Sequence, residues 1–303
     1  MSTNMSGGTR IGASAIVVLA FVFGAGTAGI AGAAPSPDVT TETVGVGPEA
    51  STRNEALLYA QLHPDAAPAG SNDFGCVPSE EHPEPVVLVH GTYSTAYGTF
   101  ASLSPALKAQ GYCVFALNYG EEATSAAGLL QRRGVASVAR SAHELSVFVD
   151  GVLERTGAEK VDIVGHSQGA LVARQYLRFG DGAPKVGSVV SLSGSNHGTT
   201  LGSRTDLAPD PNLGSVLGQA AVDQTRGSPF LEALDAGGDT EPGVDYTVVA
   251  STGDTTVTPW ESTFLTAGPG ASVRNITLPQ PVGHSSVPYA PEVLEIVSDA
   301  LQG

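Results

Sequence analysis

The chain has 303 residues, enough for one large α/β domain with a sizeable core or for two small ones. Charged residues make up 15% of it and the formal net charge is −16. Such an acidic, sparsely charged composition excludes nucleic acid and anionic membranes as partners, because both need a basic face.

At the N-terminus, Arg10 precedes an uncharged run of apolar and small residues, Ile11 to Ile30, and then Ala31-Gly32-Ala33. This is the pattern of a secretory signal cut after Ala33. A bilayer anchor also takes about 20 apolar residues, but Gly24, Gly26 and Gly29 weaken this run and a cleavage site follows it. No cysteine precedes Cys76, so a lipoprotein cut is missing, and a lone arginine is no twin-arginine signal. The expectation is a secreted protein with no stable membrane anchor. Cys76 and Cys113, an even count in an exported chain, favour one disulfide over two buried free thiols. That bond would close a loop of about 38 residues and contribute roughly 4 kcal/mol in the chain-entropy model.

Residues 34–71 read as a flexible or irregular lead-in, with a possible short helix at Asn54–Leu62, and 72–303 as the folded domain. After Pro85, short apolar runs alternate with helix-period stretches, which is how a parallel sheet buried on both faces reads. Strands are expected at Val86–His90, Cys113–Asn118, Val161–Gly165, Lys185–Ser193, Tyr246–Ala250 and Val273–Leu278. Between the second and third, Val138, Ala142, Leu145, Val149 and Val152 recur at spacings of four and three, one face of a long helix. Gly111 and Gly157 fall where helices should stop. The C-terminal "PYAPEVLEIVSDAL" is a further helix. From Thr199 to Asp245 the chain runs without a convincing strand, too far to be structureless. Two short helices, Leu213–Asp223 and Pro229–Asp235, are expected there, and Leu213, Val216, Leu217 and Ala220 form an apolar stripe suited equally to a lid or to ordinary packing. The fold class is α/β: a mostly parallel central sheet, helices on both faces, and a small cap or lid insertion at 199–245.

Gly165-His166-Ser167-Gln168-Gly169 spells G-x-S-x-G between the apolar run Val161–Val164 and the helical "GALVARQYL". That is where a nucleophile elbow places its serine. The two glycines remove Cβ atoms that would clash in so tight a turn, and the helix N-terminus favours developing negative charge. The bland alternative is a glycine-rich turn with a solvated serine.

A serine hydroxyl needs a base to take its proton. His63, His82 and His143 read as surface or packing residues, His166 lies inside the elbow pointing elsewhere, and His90 belongs to the loop after the first strand. Folds built on this elbow run serine, acid, histidine along the chain. Only His284, after the last strand, leaves room for an acid before it; His197 is the weaker candidate and could still line the site. Asp254, four residues beyond the strand ending at Ala250, is placed to fix the imidazole, ahead of Asp235, Asp239, Asp245 and Glu261. For an oxyanion, the backbone N–H of Gln168 is one expected donor. The N–H of Thr92, made accessible by Gly91, is the other, with Tyr93 second choice.

With these residues placed, the chain resembles the secreted bacterial triacylglycerol lipases of the class 2 type, within the α/β-hydrolase superfamily. The stretches that carry the likeness, in order, are "NDFGCVPSEEHPEPVVLVHGT", "LKAQGYCVFALNYG", "VDIVGHSQGALVARQYLRF", "VVSLSGSNHGTT", "STGDTTVTPWES" and "GHSSVP". The resemblance implies ester hydrolysis by Ser167, Asp254 and His284, oxyanion donors at Thr92 and Gln168, a Cys76–Cys113 pair, and neither catalytic metal nor cofactor. The expected partner is a lipid or other ester, met at a lipid–water interface, and the expected form is a monomer. Short-chain carboxylesterase, polyester depolymerase and acyltransferase are the alternatives on the same fold. A non-catalytic carrier is the alternative from another class.

Overall fold

Strand β1 (Val86–Val89) has four apolar residues, all buried. Its pleat sends Val87 and Val89 to one face of the sheet and Val86 and Leu88 to the other. The computed structural model describes residues 46–122, 133–200, 214 and 217–303. The expected signal segment with its cut after Ala33 lies outside these residues, as do Leu213 and Val216 of the insertion stripe.

Strands β2 (Val114–Leu117) and β3 (Val161–His166) are buried at every position. They are followed by β4 (Val186–Leu192), β5 (Asp245–Ala250) and the mostly solvated edge strand β6 (Ser272–Thr277). Each strand falls within two residues of its expected bounds. Across the sheet the order is β2-β1-β3-β4-β5-β6 and every pairing is parallel. Leu88 is level with Ala116 on one side and Val164 on the other. The chain starts at β1, moves to the β2 edge, then returns past β1 to β3. That reversal makes a topological switch point between β1 and β3, and a crevice opens at the carboxyl ends of the strands there.

Helices close both faces. After α1 (Arg53–Leu62) come α2 (Ala96–Phe100) and α3 (Leu103–Ala109), then α4 (Val138–Thr156) and α5 (Gln168–Phe179). The insertion carries α6 (Gln219–Asp223) and α7 (Pro229–Asp235), and α8 (Pro291–Ala300) closes the chain. On one face Leu145 and Val149 of α4 and Leu171 and Val172 of α5 pack against Val87, Phe115 and Ile163. On the other, Phe100, Leu103, Val293 and Val297 from α2, α3 and α8 cover Val86, Leu88 and Val164. All five stripe residues of α4 are buried. Ser137 caps that helix by accepting from the Arg140 N–H, and Gly157 ends it at φ 72°, where only glycine is unstrained.

Residues 34–71 are expected to be a flexible or irregular lead-in with a short helix at Asn54–Leu62. That helix is present as α1 (Arg53–Leu62), and from residue 46 on the stretch is packed against the domain. Thr52 and Glu55 form a reciprocal capping box at the start of α1. Ala56 and Ala60 of α1 then bury against Tyr97 of α2 and Ala101 at its end. Alanines leave no visible apolar stripe in the sequence, yet they let two helices approach closely. In the insertion, Ala220 is buried and its N–H donates to the Val135 carbonyl at 3.1 Å, while the Val138 N–H donates to Asp223 at 2.9 Å. α6 is therefore pinned to the start of α4 and to the residues just before it.

Cys76 and Cys113 form a disulfide with Cα atoms 5.8 Å apart. It ties the proline-rich stretch before β1 to the start of β2. The Cys76→Ser/Cys113→Ser double variant should lose up to about 4 kcal/mol of unfolding free energy. A urea titration monitored by circular dichroism reads this directly; a loss under 1 kcal/mol would mean that the loop is already held by its other contacts.

Candidate active site

Ser167 follows the end of β3 and caps α5, with φ 56° and ψ −122°. A non-glycine residue at positive φ is strained, and strain of this kind collects at functional sites. What allows the turn is the absence of side chains around it. A Cβ on Gly165 would stand 2.6 Å from the Ala170 nitrogen, and one on Gly169 only 2.0 Å from the Val89 oxygen. The glycines of the motif are thus packing requirements. The Ser167 N–H donates to the Leu192 carbonyl at 3.0 Å, which fixes the elbow to β4.

Asp254 and His284 reach the same place from two loops at the carboxyl edge. Nδ1–H of His284 donates to Asp254 Oδ2 at 2.7 Å, and both side chains are buried. Asp254 Oδ1 accepts from the N–H groups of Thr256 and Val257 at 2.8 and 2.9 Å. Burial works against the carboxylate, but the His284 hydrogen bond and charge and the two N–H donors outweigh it and hold the group below its ordinary value. Of the five acids considered from sequence, Asp254 is the one that His284 contacts. Asp245 instead begins β5 at the far end of that strand, where it accepts from Ser272.

Ser167 and His284 line one cleft of about 240 Å³, together with Thr92, Tyr93 and His166. The structure brings them onto a shared surface without a hydrogen bond between serine and imidazole, a contact that often tightens only around substrate. Gly91 lets the loop after β1 come close: a Cβ there would lie 2.9 Å from the Ser167 Cβ. The Tyr93 N–H is committed to the Arg133 carbonyl at 3.0 Å. That leaves Thr92, whose side chain is anchored by Gln224 Nε2 at 2.9 Å, as the better-placed donor on this loop. Gln168 opens α5, so its N–H has no partner in the helix ladder.

His166 corrects the sequence reading, which points it away from the site. Its Nε2–H donates to the backbone carbonyl of His284 at 3.1 Å, and the two rings lie 4.9 Å apart between centroids. Burial above all, with the nearby His284, pushes its pKa down to about 3, so it stays neutral. His166 therefore holds the backbone of the residue expected to be the base. The signal was present in the motif, but only the three-dimensional return of the chain, 118 residues later, gives it a partner.

His197, the weaker base candidate, is outside the cleft. Its Nε2 meets Asp239 at 3.0 Å and its Nδ1 meets the Ser262 carbonyl at 3.0 Å. The Asp239 hydrogen bond raises its pKa against the opposing effect of burial. The ligand atoms of His197, Asp235 and Asp239 lie within 4.8 Å of one another, a spacing compatible with a cation. A cation is already there. The buried Arg174 guanidinium reaches Asp235 at 3.0 Å and Asp239 at 3.8 Å, which satisfies these carboxylates from within the chain.

Known proteins resemble this chain in sequence and in fold. Residues 83–268 match the family described as Lipase (class 2). The chain belongs to the class 2 lipase family. Ser167 and Asp254 lie inside the matched segment of this lipase family, and His284 lies beyond its end. A triacylglycerol lipase of Pseudomonas fragi is 35% identical over 156 residues, 50% of this chain and 47% of that one. Another from Vibrio cholerae serotype O1 is 32% identical over 164 residues, 52% of this chain and 46% of that one. The chain thus spans about half the length of these bacterial relatives. In fold it is similar to Aspergillus fumigatus lipase B, with TM-score 0.62 and 21% identity over 78% of this chain and 55% of that one. A Bacillus licheniformis lipase in its mature form gives TM-score 0.56 and 15% identity, covering 74% and 94%. Both likenesses concern the α/β-hydrolase architecture.

Proposed function

We propose that the protein is a secreted serine carboxylic-ester hydrolase of the triacylglycerol lipase kind, acting through Ser167, Asp254 and His284. The observation that carries this reading is the buried 2.7 Å Asp254–His284 hydrogen bond beside a serine held at positive φ on the same cleft. The name shared by the Pseudomonas and Vibrio relatives supplies the substrate class. Export rests on the N-terminal pattern ending at Ala33 and on the disulfide, a bond that persists in oxidising compartments.

Ser167 Oγ attacks the ester carbonyl carbon while His284 Nε2 takes its proton. Asp254 keeps the other ring proton on Nδ1 and stabilises the imidazolium without becoming protonated. The carbonyl oxygen, now negative, accepts from the N–H groups of Thr92 and Gln168; each such donor contributes about 2.7–4 kcal/mol to the transition state. The C–O bond to the alcohol breaks and His284 returns the proton to the leaving oxygen. Water then repeats the sequence on the acyl-serine, releasing the acid and free Ser167. These steps call for no metal or cofactor.

A short-chain carboxylesterase is the second reading, favoured by the hydroxyl groups of Ser94, Thr99 and Ser285 along the cleft. Hydrolysis rates of p-nitrophenyl esters from acetyl to stearyl, with Ser167→Ala as blank, separate the two. A maximum at long acyl groups is the expected result; a maximum at acetyl or butyryl selects the esterase. No rate above the blank across the series would overturn both.

A further inference from the structure

We infer that α1 supplies the substrate-selecting wall of this cleft, and that Arg53 on it takes an ester carrying an oxyanion group, a carboxylate or a phosphate. The inference rests on the ester-hydrolase reading and adds the chemistry of the rest of the substrate.

Arg53 and Leu57 both line the cleft that holds Ser167 and His284. They are four residues apart on α1, hence on one helix face, one turn above the other. The face next to it, through Ala56 and Ala60, is fixed against Tyr97 and Ala101, and Tyr59 packs on Tyr97 with ring centroids 4.9 Å apart. This orientation is therefore set by packing. The segment also lies N-terminal to residues 83–268, so this wall is not part of the family match.

The charge pattern points to the ligand. The chain carries 30 acidic residues against 14 Lys and Arg, yet none of the residues lining the cleft is Asp or Glu. Arg133, Arg140, Arg174 and Arg178 each hold a carboxylate, whereas Arg155, Arg226 and Arg274 hold none among the described residues but are exposed and lie outside the cleft. Arg53, half-buried, holds none among the described residues. Its position is also unfavourable for the helix. It is the first residue of α1, where the macrodipole disfavours a cation and favours an acid. A guanidinium kept unpaired, at the wrong end of a helix, at an acid-free cleft, has its five donors available for a planar oxyanion. Leu57, one turn on, offers the same substrate an apolar contact.

The test compares matched esters. p-Nitrophenyl hydrogen adipate and p-nitrophenyl hexanoate share a six-carbon acyl group and differ by a terminal carboxylate; 1-acylglycerol 3-phosphate and the corresponding monoacylglycerol put the anion on the alcohol side. In Arg53→Gln, the ratio of kcat/KM for the charged over the neutral member is expected to fall about tenfold in at least one pair. The fall should appear chiefly in KM, because the anion that Arg53 would hold keeps the same charge in the ground and transition states. Arg53→Lys should restore most of the ratio. Whichever pair responds identifies the side that carries the anion. A ratio within twofold of wild type in both pairs, in a variant of unchanged Tm, would overturn the inference while leaving ester hydrolysis standing. Failure of wild type to exceed Ser167→Ala on either neutral ester would instead remove the ester-hydrolase reading and this inference with it.

Discussion

Ser167→Ala is expected to lower ester hydrolysis about ten-thousandfold to a millionfold with little change in stability. The size of the effect follows from the role proposed for the residue: without Oγ no acyl-enzyme would form, and the remaining donors would only orient an ester toward water. The small effect on stability follows from the geometry. The elbow is fixed by the Ser167 N–H bond to Leu192 and by the close packing of Gly165 and Gly169, none of which uses the hydroxyl. Rapid mixing with a p-nitrophenyl ester reads the acyl-enzyme as a burst of p-nitrophenol, and the burst should vanish in the variant. Two other serines, Ser94 and Ser285, line the same cleft. A variant keeping a tenth of wild-type activity would mean that one of them, or a water activated directly by His284, carries the reaction.

The parts of this molecule that the sequence discloses are those whose causes are local. β1, β2 and β3 read as unbroken apolar runs because a parallel strand covered on both faces has no solvent side to alternate toward. α4 reads from its stripe and from Gly157 because burial on one face and a left-handed stop leave marks at fixed spacing. The convergence of Ser167, Asp254 and His284 reads from order along the chain because each follows a strand at the same edge of the sheet. Tyr93 and His197 stay open in the sequence for the opposite reason. Whether the Tyr93 N–H is free depends on the Arg133 carbonyl, 40 residues away, and whether His197 faces the cleft depends on Asp239 and Ser262. α1 is the plainest case. Its buried face consists of Ala56 and Ala60 and its helix is only partly amphipathic, so composition hides both its packing and the Arg53 that it carries to the cleft.

Asp254→Asn should cut kcat about ten-thousandfold, and the reason lies in which atom of the side chain faces which partner. Oδ1 accepts two backbone N–H groups, from Thr256 and Val257. An amide NH₂ in that position would set donor against donor twice, so the asparagine oxygen takes it. The NH₂ then faces His284 Nδ1, where the Oδ2 carboxylate oxygen lies at 2.7 Å in the wild type. A donor on that side needs a lone pair on Nδ1, which moves the single ring proton to Nε2. The imidazole then presents Ser167 with an N–H where the reaction needs an acceptor. Ring position changes little, since the His284 backbone is held by His166 and the substituted side chain is of equal size. Nitrogen-15 chemical shifts of His284 check the cause as well as the effect: protonation at Nδ1 in wild type and at Nε2 in the variant is expected. If activity fell while the proton stayed on Nδ1, the carboxylate would be acting through its charge on the imidazolium and not by selecting the tautomer.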